Sequence, residues 1–176
     1  MTTRFSILVV CTGNICRSPL AERLLQPRLG PAFEVTSVGT YGWEDAEMDR
    51  TAAAELRRLG GDPTGFRSTP LRTEHVTGAD LVLTATRAHR SAVLGEEPSA
   101  LRRTFTLREL AHLAPRIEAD DPAHLVAQAA AIRSTAELDD YDVPDPYGAP
   151  AKRHRQVADA IAGCVGPVAD ALLRVT

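Results

Sequence analysis

Four consecutive apolar residues, Ile7-Leu8-Val9-Val10, run straight into Cys11-Thr12-Gly13-Asn14-Ile15-Cys16-Arg17-Ser18-Pro19, and the helix-forming run Leu20-Ala21-Glu22-Arg23-Leu24-Leu25 follows. The first run reads as a buried strand and the last as a helix. The chain must therefore turn from strand to helix within a few residues, and Cys11 and Arg17 both fall on that turn. Pro19 marks the start of the helix, where a first-turn residue has no use for its N–H.

Such a turn has a specific physical use. Successive amides from Thr12 to Arg17 can converge on one point, and the helix N-terminus adds its unsatisfied N–H groups and the positive end of its dipole. That concavity suits a doubly charged oxyanion such as phosphate. Gly13 carries no Cβ penalty at positive φ, and Asn14 tolerates left-handed geometry better than most residues. A helix N-terminus and a nearby cation favour the thiolate of a cysteine at the floor of the nest, and the thiolate is the nucleophile. Arg17 can hold two phosphoryl oxygens at once as charge spreads in a transition state. Ser18 is close enough in sequence to hydrogen-bond the sulfur. Read as structure alone, Cys11 would be a small buried hydrophobe after a strand; Gly-Asn inside the loop and Ser-Pro after it favour the chemical reading.

With 176 residues and a formal net charge of −3, the chain has one domain's length and no basic footprint for nucleic acid or an anionic membrane. Met1-Thr2-Thr3-Arg4 leads directly into the first strand without a signal-peptide pattern, and no apolar run reaches the ~20 residues of a membrane span. The expectation is a soluble, cytoplasmic protein. Three cysteines, two of them in the loop, suit a reducing compartment better than a disulfide framework. Histidines at 75, 89, 112, 124 and 154 show no ligand spacing, so neither a metal nor another cofactor is expected.

Phe33-Glu34-Val35-Thr36-Ser37-Val38 alternates as a half-covered strand does, after the break at Gly30-Pro31. Two strands joined by one helix form a right-handed βαβ unit, so the sheet is parallel and ligands sit at the carboxyl ends of its strands, where Cys11 falls. Trp43 leaves the second strand on that side. It either walls the mouth of a pocket or packs under the loop, and Tyr41 is a second rim candidate. A helix follows from Asp49 to Leu59, capped by Asp49 and stopped by Gly60-Gly61, and 62–72 is loop. Ala79 to Thr84 is a third strand, Thr86 caps a helix running to about Leu94, 101–106 holds a short fourth strand, and 107–113 is helical. Asp121 and Pro122 open another helix whose stripe of Leu125, Ala129 and Ile132 suits docking on the domain. A final helix spans about Ala151 to Arg174, packed through Val157, Ile161, Val165, Val168 and Leu172. Cys164 within it reads as an inert core residue, and Lys152, Arg153, His154 and Arg155 as a basic, solvated start that can bias an anionic substrate toward the pocket.

Val10 to Pro19 together with Ala21-Glu22, and Asp145-Pro146-Tyr147 near the C-terminus, resemble the signature elements of the low-molecular-weight protein tyrosine phosphatases. The resemblance implies a three-layer α/β domain over 1–176, with four parallel strands in the order 2-1-3-4 and helices on both faces. Residues around 114–140 exceed the matching part of typical members. It implies catalytic Cys11, Arg17 and Asp145, and a substrate cradle of Thr12, Gly13, Asn14, Ile15, Cys16 and Ser18, with Trp43 and Tyr147 against the substrate ring. Cys11 attacks phosphorus in line while Asp145 protonates the leaving phenolate, and the resulting phosphocysteine is hydrolysed by water that Asp145 activates. Asp140 and Asp142 are the competing carboxylates. The partner implied is a phosphotyrosine-bearing protein or peptide, with a cognate tyrosine kinase as a candidate second partner. Within so curved a loop a reversible Cys11–Cys16 disulfide is sterically conceivable, and it resembles family behaviour.

Other readings remain on the same fold. Arsenate reduction needs relay cysteines, and 79–97 has none. Phosphoarginine hydrolysis is associated in the family with Thr at the position of Ile15, whereas an aliphatic side chain there favours phosphotyrosine. A noncatalytic phosphopeptide-binding module would need neither a nucleophile nor an acid. Two departures bear on the rim: Gly148 stands where many members carry a further aromatic, and Glu44 adds negative charge near the mouth.

Overall fold

A computed structural model describes residues 4–176. The apolar run beginning at Phe5 is strand β1 (Phe5–Cys11), and it pairs in parallel on one side with β2 (Phe33–Gly39) and on the other with β3 (Leu81–Thr84). β4 (Thr104–Thr106) completes a four-stranded parallel sheet of order 2-1-3-4. Side chains of β1 alternate between two cores, as a pleated strand requires. Ile7 and Val9 face the larger one with Leu25, Phe33, Leu56 and Ile161, while Leu8 and Val10 face the smaller one with Val76, Val82 and Val93. A β1 buried on both faces explains its unbroken apolar run.

The larger core is covered by α1 (Arg17–Leu29), α2 (Arg50–Arg58), α5 (Leu107–Leu113), α6 (Pro122–Ala131) and α7 (Ala151–Arg174), and the smaller by α3 (Thr73–Thr77) and α4 (Arg87–Glu96). α1 begins two residues earlier than Pro19 suggests. Proline is tolerated as the third helical residue because the first four amides of a helix have no intrahelical acceptor. The single turn of α3 and the 3₁₀ segment Pro98–Arg103 are too short to leave a periodic signal.

The predicted caps hold: Asp49 Oδ1 accepts from the Thr51 and Ala52 amides, Thr86 from His89 and Asp121 from His124. α6 docks as its stripe predicts, with Leu125 and Ala129 fully buried and Ile132 packed against the core at its C-terminal end. The 3₁₀ turn that follows (Arg133–Thr135) is tied down by Arg133, which pairs with buried Glu109 at 3.1 Å and lies over the Phe105 ring.

Two expectations about α7 need correction. It is, by length and composition, long and apolar enough to cross a membrane, a property hidden in the sequence by its scattered polar residues. Its apolar stripe, from Val157 to Leu172, is nevertheless buried against α1, α2 and α5. His154 also departs from the solvated face: Lys152, Arg153 and Arg155 are exposed, but His154 is 4% exposed. It stands three and seven residues before Val157 and Ile161, on the same helical face.

Candidate active site

Strand β1 delivers Cys11 to the carboxyl edge of the sheet, directly opposite Gly39 of β2. The loop that follows is held by its neighbour: the Thr40 amide donates to the Cys11 carbonyl and the Tyr41 amide to that of Thr12. Gly39 is required there by packing, since a Cβ on it would lie 2.5 Å from the Thr12 carbonyl oxygen. Asn14 turns the loop with φ +54°, and the amides of Gly13, Asn14, Ile15 and Cys16 donate to no protein acceptor among the described residues. Four free donors in succession before a helix N-terminus form an anion cradle.

A hydrogen-bonded chain runs behind the loop and ends at the Cys11 sulfur. Asn14 is fully buried; its Oδ1 accepts from the Thr69 amide at 2.8 Å, and its Nδ2 donates to Ser18 and Ser37, each at 2.8 Å. Ser37 donates on to Glu22 Oε2 at 2.5 Å. Ser18 Oγ accepts from Asn14 and stands 2.9 Å from Cys11 Sγ and 3.5 Å from the Val38 carbonyl oxygen, within hydrogen-bond reach of the sulfur. Burial raises the Glu22 carboxyl above its ordinary range, opposed by the Ser37 hydrogen bond. Asn14 and Ser18 thus stand behind the cradle and position it.

Arg17 is 4% exposed, with one NH1 bond to the Val143 carbonyl and one NH2 bond to Thr12 Oγ1. Its Nε is buried without a protein acceptor, so the guanidinium keeps a donor for a phosphoryl oxygen. Thr12 Oγ1 accepts from Arg17 and hydrogen-bonds His89 Nε2 at 2.8 Å, while His89 Nδ1 hydrogen-bonds the Thr86 hydroxyl at 2.9 Å. Burial, and then the Arg17 charge, push the His89 pKa down to about 4, so the imidazole is neutral and this arrangement is kept. His89 has no place in the sequence reading. Its signal was available as the third residue after the Thr86 cap, on the helix that leaves β3 at the same sheet edge.

The three competing carboxylates separate cleanly. Asp140 pairs with Arg108 and Asp142 with Arg87, and neither lines the cleft. Burial pulls the Asp142 carboxyl up, but hydrogen bonds from the Arg87 amide and guanidinium outweigh it and hold it below its ordinary value. Asp145 alone reaches the site, with Oδ2 3.3 Å from Arg17 NH2 and Oδ1 accepting from the Tyr147 amide. Its side chain is half exposed, open to exchange protons with a ligand or solvent.

These groups share a cleft of about 180 Å³. The loop residues Cys11, Thr12, Gly13, Ile15, Cys16 and Arg17 line it together with Tyr41, Trp43, Asp145 and Tyr147. Trp43 is 54% exposed and meets Tyr147 edge to face, ring centres 5.9 Å apart, so it walls the mouth rather than packing beneath the loop. Glu44 lies outside the lining, paired with Arg72, which takes up the charge that the sequence placed near the mouth. Gly148 turns the chain after Tyr147 at φ +71° and leaves that wall with one aromatic. Cys11 and Cys16 are both free thiols. Burial foremost, then the charges of Asp49, Cys11 and Asp145, raise the Cys16 pKa, so that thiol stays protonated.

Comparison with known proteins agrees with this geometry. Residues 6–131 match the family model described as low molecular weight phosphotyrosine protein phosphatase, a match that ends before Asp145. A protein-arginine-phosphatase of Geobacillus stearothermophilus is 30% identical over 168 residues, covering 96% of each chain. The low molecular weight protein-tyrosine phosphatase A of Mycobacterium tuberculosis is 36% identical over 131 residues, covering 69% of this chain and 78% of that protein. The solved arginine phosphatase YwlE from Geobacillus stearothermophilus superposes with a TM-score of 0.77 at 29% identity, covering 97% of this chain and 94% of that one. With a cysteine, an arginine and a carboxylate converging on one cradle of free amides, the chain belongs to the low molecular weight phosphotyrosine protein phosphatase family.

Proposed function

We propose that the protein hydrolyses phosphotyrosine monoesters in protein or peptide substrates through a phosphocysteine intermediate. The observation that carries the reading is one cleft holding Cys11 Sγ within 2.9 Å of the Ser18 hydroxyl and Asp145 within 3.3 Å of Arg17, over four unused loop amides. The incoming phosphoryl group takes the place of Asp145 at Arg17, and its equatorial oxygens are held by the guanidinium and the amides as charge shifts in the transition state. Cys11 attacks phosphorus in line while Asp145, released toward the leaving group, gives its proton to the phenolate. Asp145, now a carboxylate, takes a proton from water as that water attacks the phosphocysteine. Inorganic phosphate and the free thiolate result.

Ile15, Trp43 and Tyr147 supply an apolar slot suited to an aryl ring. The setting that fits is cytoplasmic, with substrate supplied by a tyrosine kinase and with no nucleic acid or membrane as partner. A second reading, phosphoarginine hydrolysis, is favoured by the 96% coverage of the protein-arginine-phosphatase. Matched peptides carrying phosphotyrosine or phosphoarginine decide between them. The tyrosine reading expects kcat/KM to favour phosphotyrosine by at least about tenfold, near 1.4 kcal/mol, and Ile15→Thr to narrow the ratio. A parent enzyme that prefers phosphoarginine would overturn it.

A further inference from the structure

We propose that Cys16, Asp49 and His154 form a binding site for a thiophilic divalent metal ion, Zn²⁺ or Co²⁺, immediately behind the catalytic loop. The Cys16 sulfur, an Asp49 carboxylate oxygen and a ring nitrogen of His154 all lie within 4.8 Å of one another. No two of these residues are near in sequence; the fold assembles them from the residue before α1, the cap of α2 and the first turn of α7. Sulfur, nitrogen and oxygen in one set suit zinc-like ions, which take three protein ligands and leave a fourth position to water. Metal–ligand bonds of about 2.0–2.3 Å place ligand atoms roughly 3.3–3.7 Å apart, so the cluster needs to contract by about an ångström.

His154 gives independent support. It is 4% exposed, yet among the described residues its imidazole has no hydrogen bond; its nearest anion is Asp49 Oδ1, with Nδ1 at 3.8 Å, beyond hydrogen-bond range. A side chain this buried that makes no protein hydrogen bond keeps its ring nitrogens free for another partner, and it stands beside the other two ligands. Asp49 Oδ1 accepts from the Thr51 and Ala52 amides and is also the oxygen nearest His154, while no hydrogen bond engages Oδ2. A divalent ion bound by a Cys16 thiolate and the Asp49 carboxylate would balance in charge with its two anionic ligands. On binding, the Cys16 thiol proton passes to solvent and the Cys16–metal bond forms, with no change of oxidation state.

The site touches the enzyme's machinery directly. Cys16 belongs to the loop, and the Asp49 amide donates to the Ile15 carbonyl at 2.9 Å, so a bound ion joins the cradle to α2 and α7. The inference stands whether the substrate is phosphotyrosine or phosphoarginine.

Co²⁺ titration of the Cys11→Ser protein, with a non-thiol reductant present, tests it, because the catalytic sulfur is then removed as a competing ligand. One equivalent of Co²⁺ should bring a thiolate-to-cobalt charge-transfer band and the visible bands of a tetrahedral ion. Adding Cys16→Ser should abolish the charge-transfer band, and adding His154→Gln should weaken binding at least about tenfold. In the wild-type background, His154→Gln should leave metal-free kcat/KM within about twofold while lowering sensitivity to Zn²⁺. As a check independent of the serine variant, wild-type protein saturated with vanadate should show the same band. Absence of the band in both proteins, its persistence after Cys16→Ser, or its indifference to His154→Gln would overturn the proposal.

Discussion

Replacing Gly39 by alanine isolates the steric support of the catalytic loop. The Gly39 backbone is not in the left-handed region, so alanine meets no conformational penalty there and its only effect is the added methyl group. That carbon would sit 2.5 Å from the Thr12 carbonyl oxygen and 3.0 Å from both the Asn14 nitrogen and the Gly13 carbonyl carbon. Carbon–oxygen contacts settle at roughly 3.3–3.6 Å, so the loop must retreat by about 0.8 Å or more. Overpacking of this kind costs about 1–3 kcal/mol of stability, and a displacement near 1 Å at a reacting centre costs about 10²-fold in rate. Gly163, exposed on α7 with nothing within 4 Å of where a methyl group would sit, receives the identical change as a control. Gly163→Ala should gain roughly 0.5–1 kcal/mol and keep full activity. Urea unfolding and kcat/KM on an aryl phosphate measure both effects. A Gly39→Ala protein with the parent's kcat/KM and midpoint would refute the claim that β2 sets the position of the cradle.

Asp145→Asn should slow turnover of a phosphotyrosine peptide by about 10²–10⁴-fold and that of an aryl phosphate with a strongly acidic phenol far less, since only the poor leaving group needs its proton; equal losses on both substrates would contradict the general-acid role. His89 binds no proton in the folded protein until pH nears 4, whereas an unfolded histidine charges near pH 6.5. Its contribution therefore weakens folding as pH falls from about 6.5 to 4, by an amount on the order of 3 kcal/mol. The wild-type stability minus that of His89→Gln should rise with pH through this window and stay level above it. Urea unfolding at several pH values that yields a flat difference would remove the neutral, buried imidazole from the account.

The strand, loop and helix around Cys11 were legible because each local signal agreed with the others: a doubly buried strand, a turn with Gly-Asn, and a proline in the first helical turn. The sheet order came from resemblance, since the residues alone give only parallel pairing. What was not legible depends on distance in the chain. Glu22 stands within the signature, yet its role through Ser37 and Asn14 emerges only when β2 lies beside the loop. His89 acts on Thr12 across 77 residues. Five scattered histidines offered no ligand spacing, because spacing detects ligands on one element, while His154 meets Cys16 and Asp49 from three. The separation of Asp145 from Asp140 and Asp142 was likewise decided by which arginine each one faces.

The central claim is that the sulfur of Cys11 becomes the phosphoryl carrier. Rapid acid quenching during turnover of an aryl phosphate, followed by mass analysis of the peptide containing residue 11, measures this directly. The account predicts a transient adduct with the mass of one phosphoryl group on Cys11, more abundant when dephosphorylation is slowed and absent from Cys11→Ser. An adduct on another residue, or sustained turnover by Cys11→Ser, would contradict it.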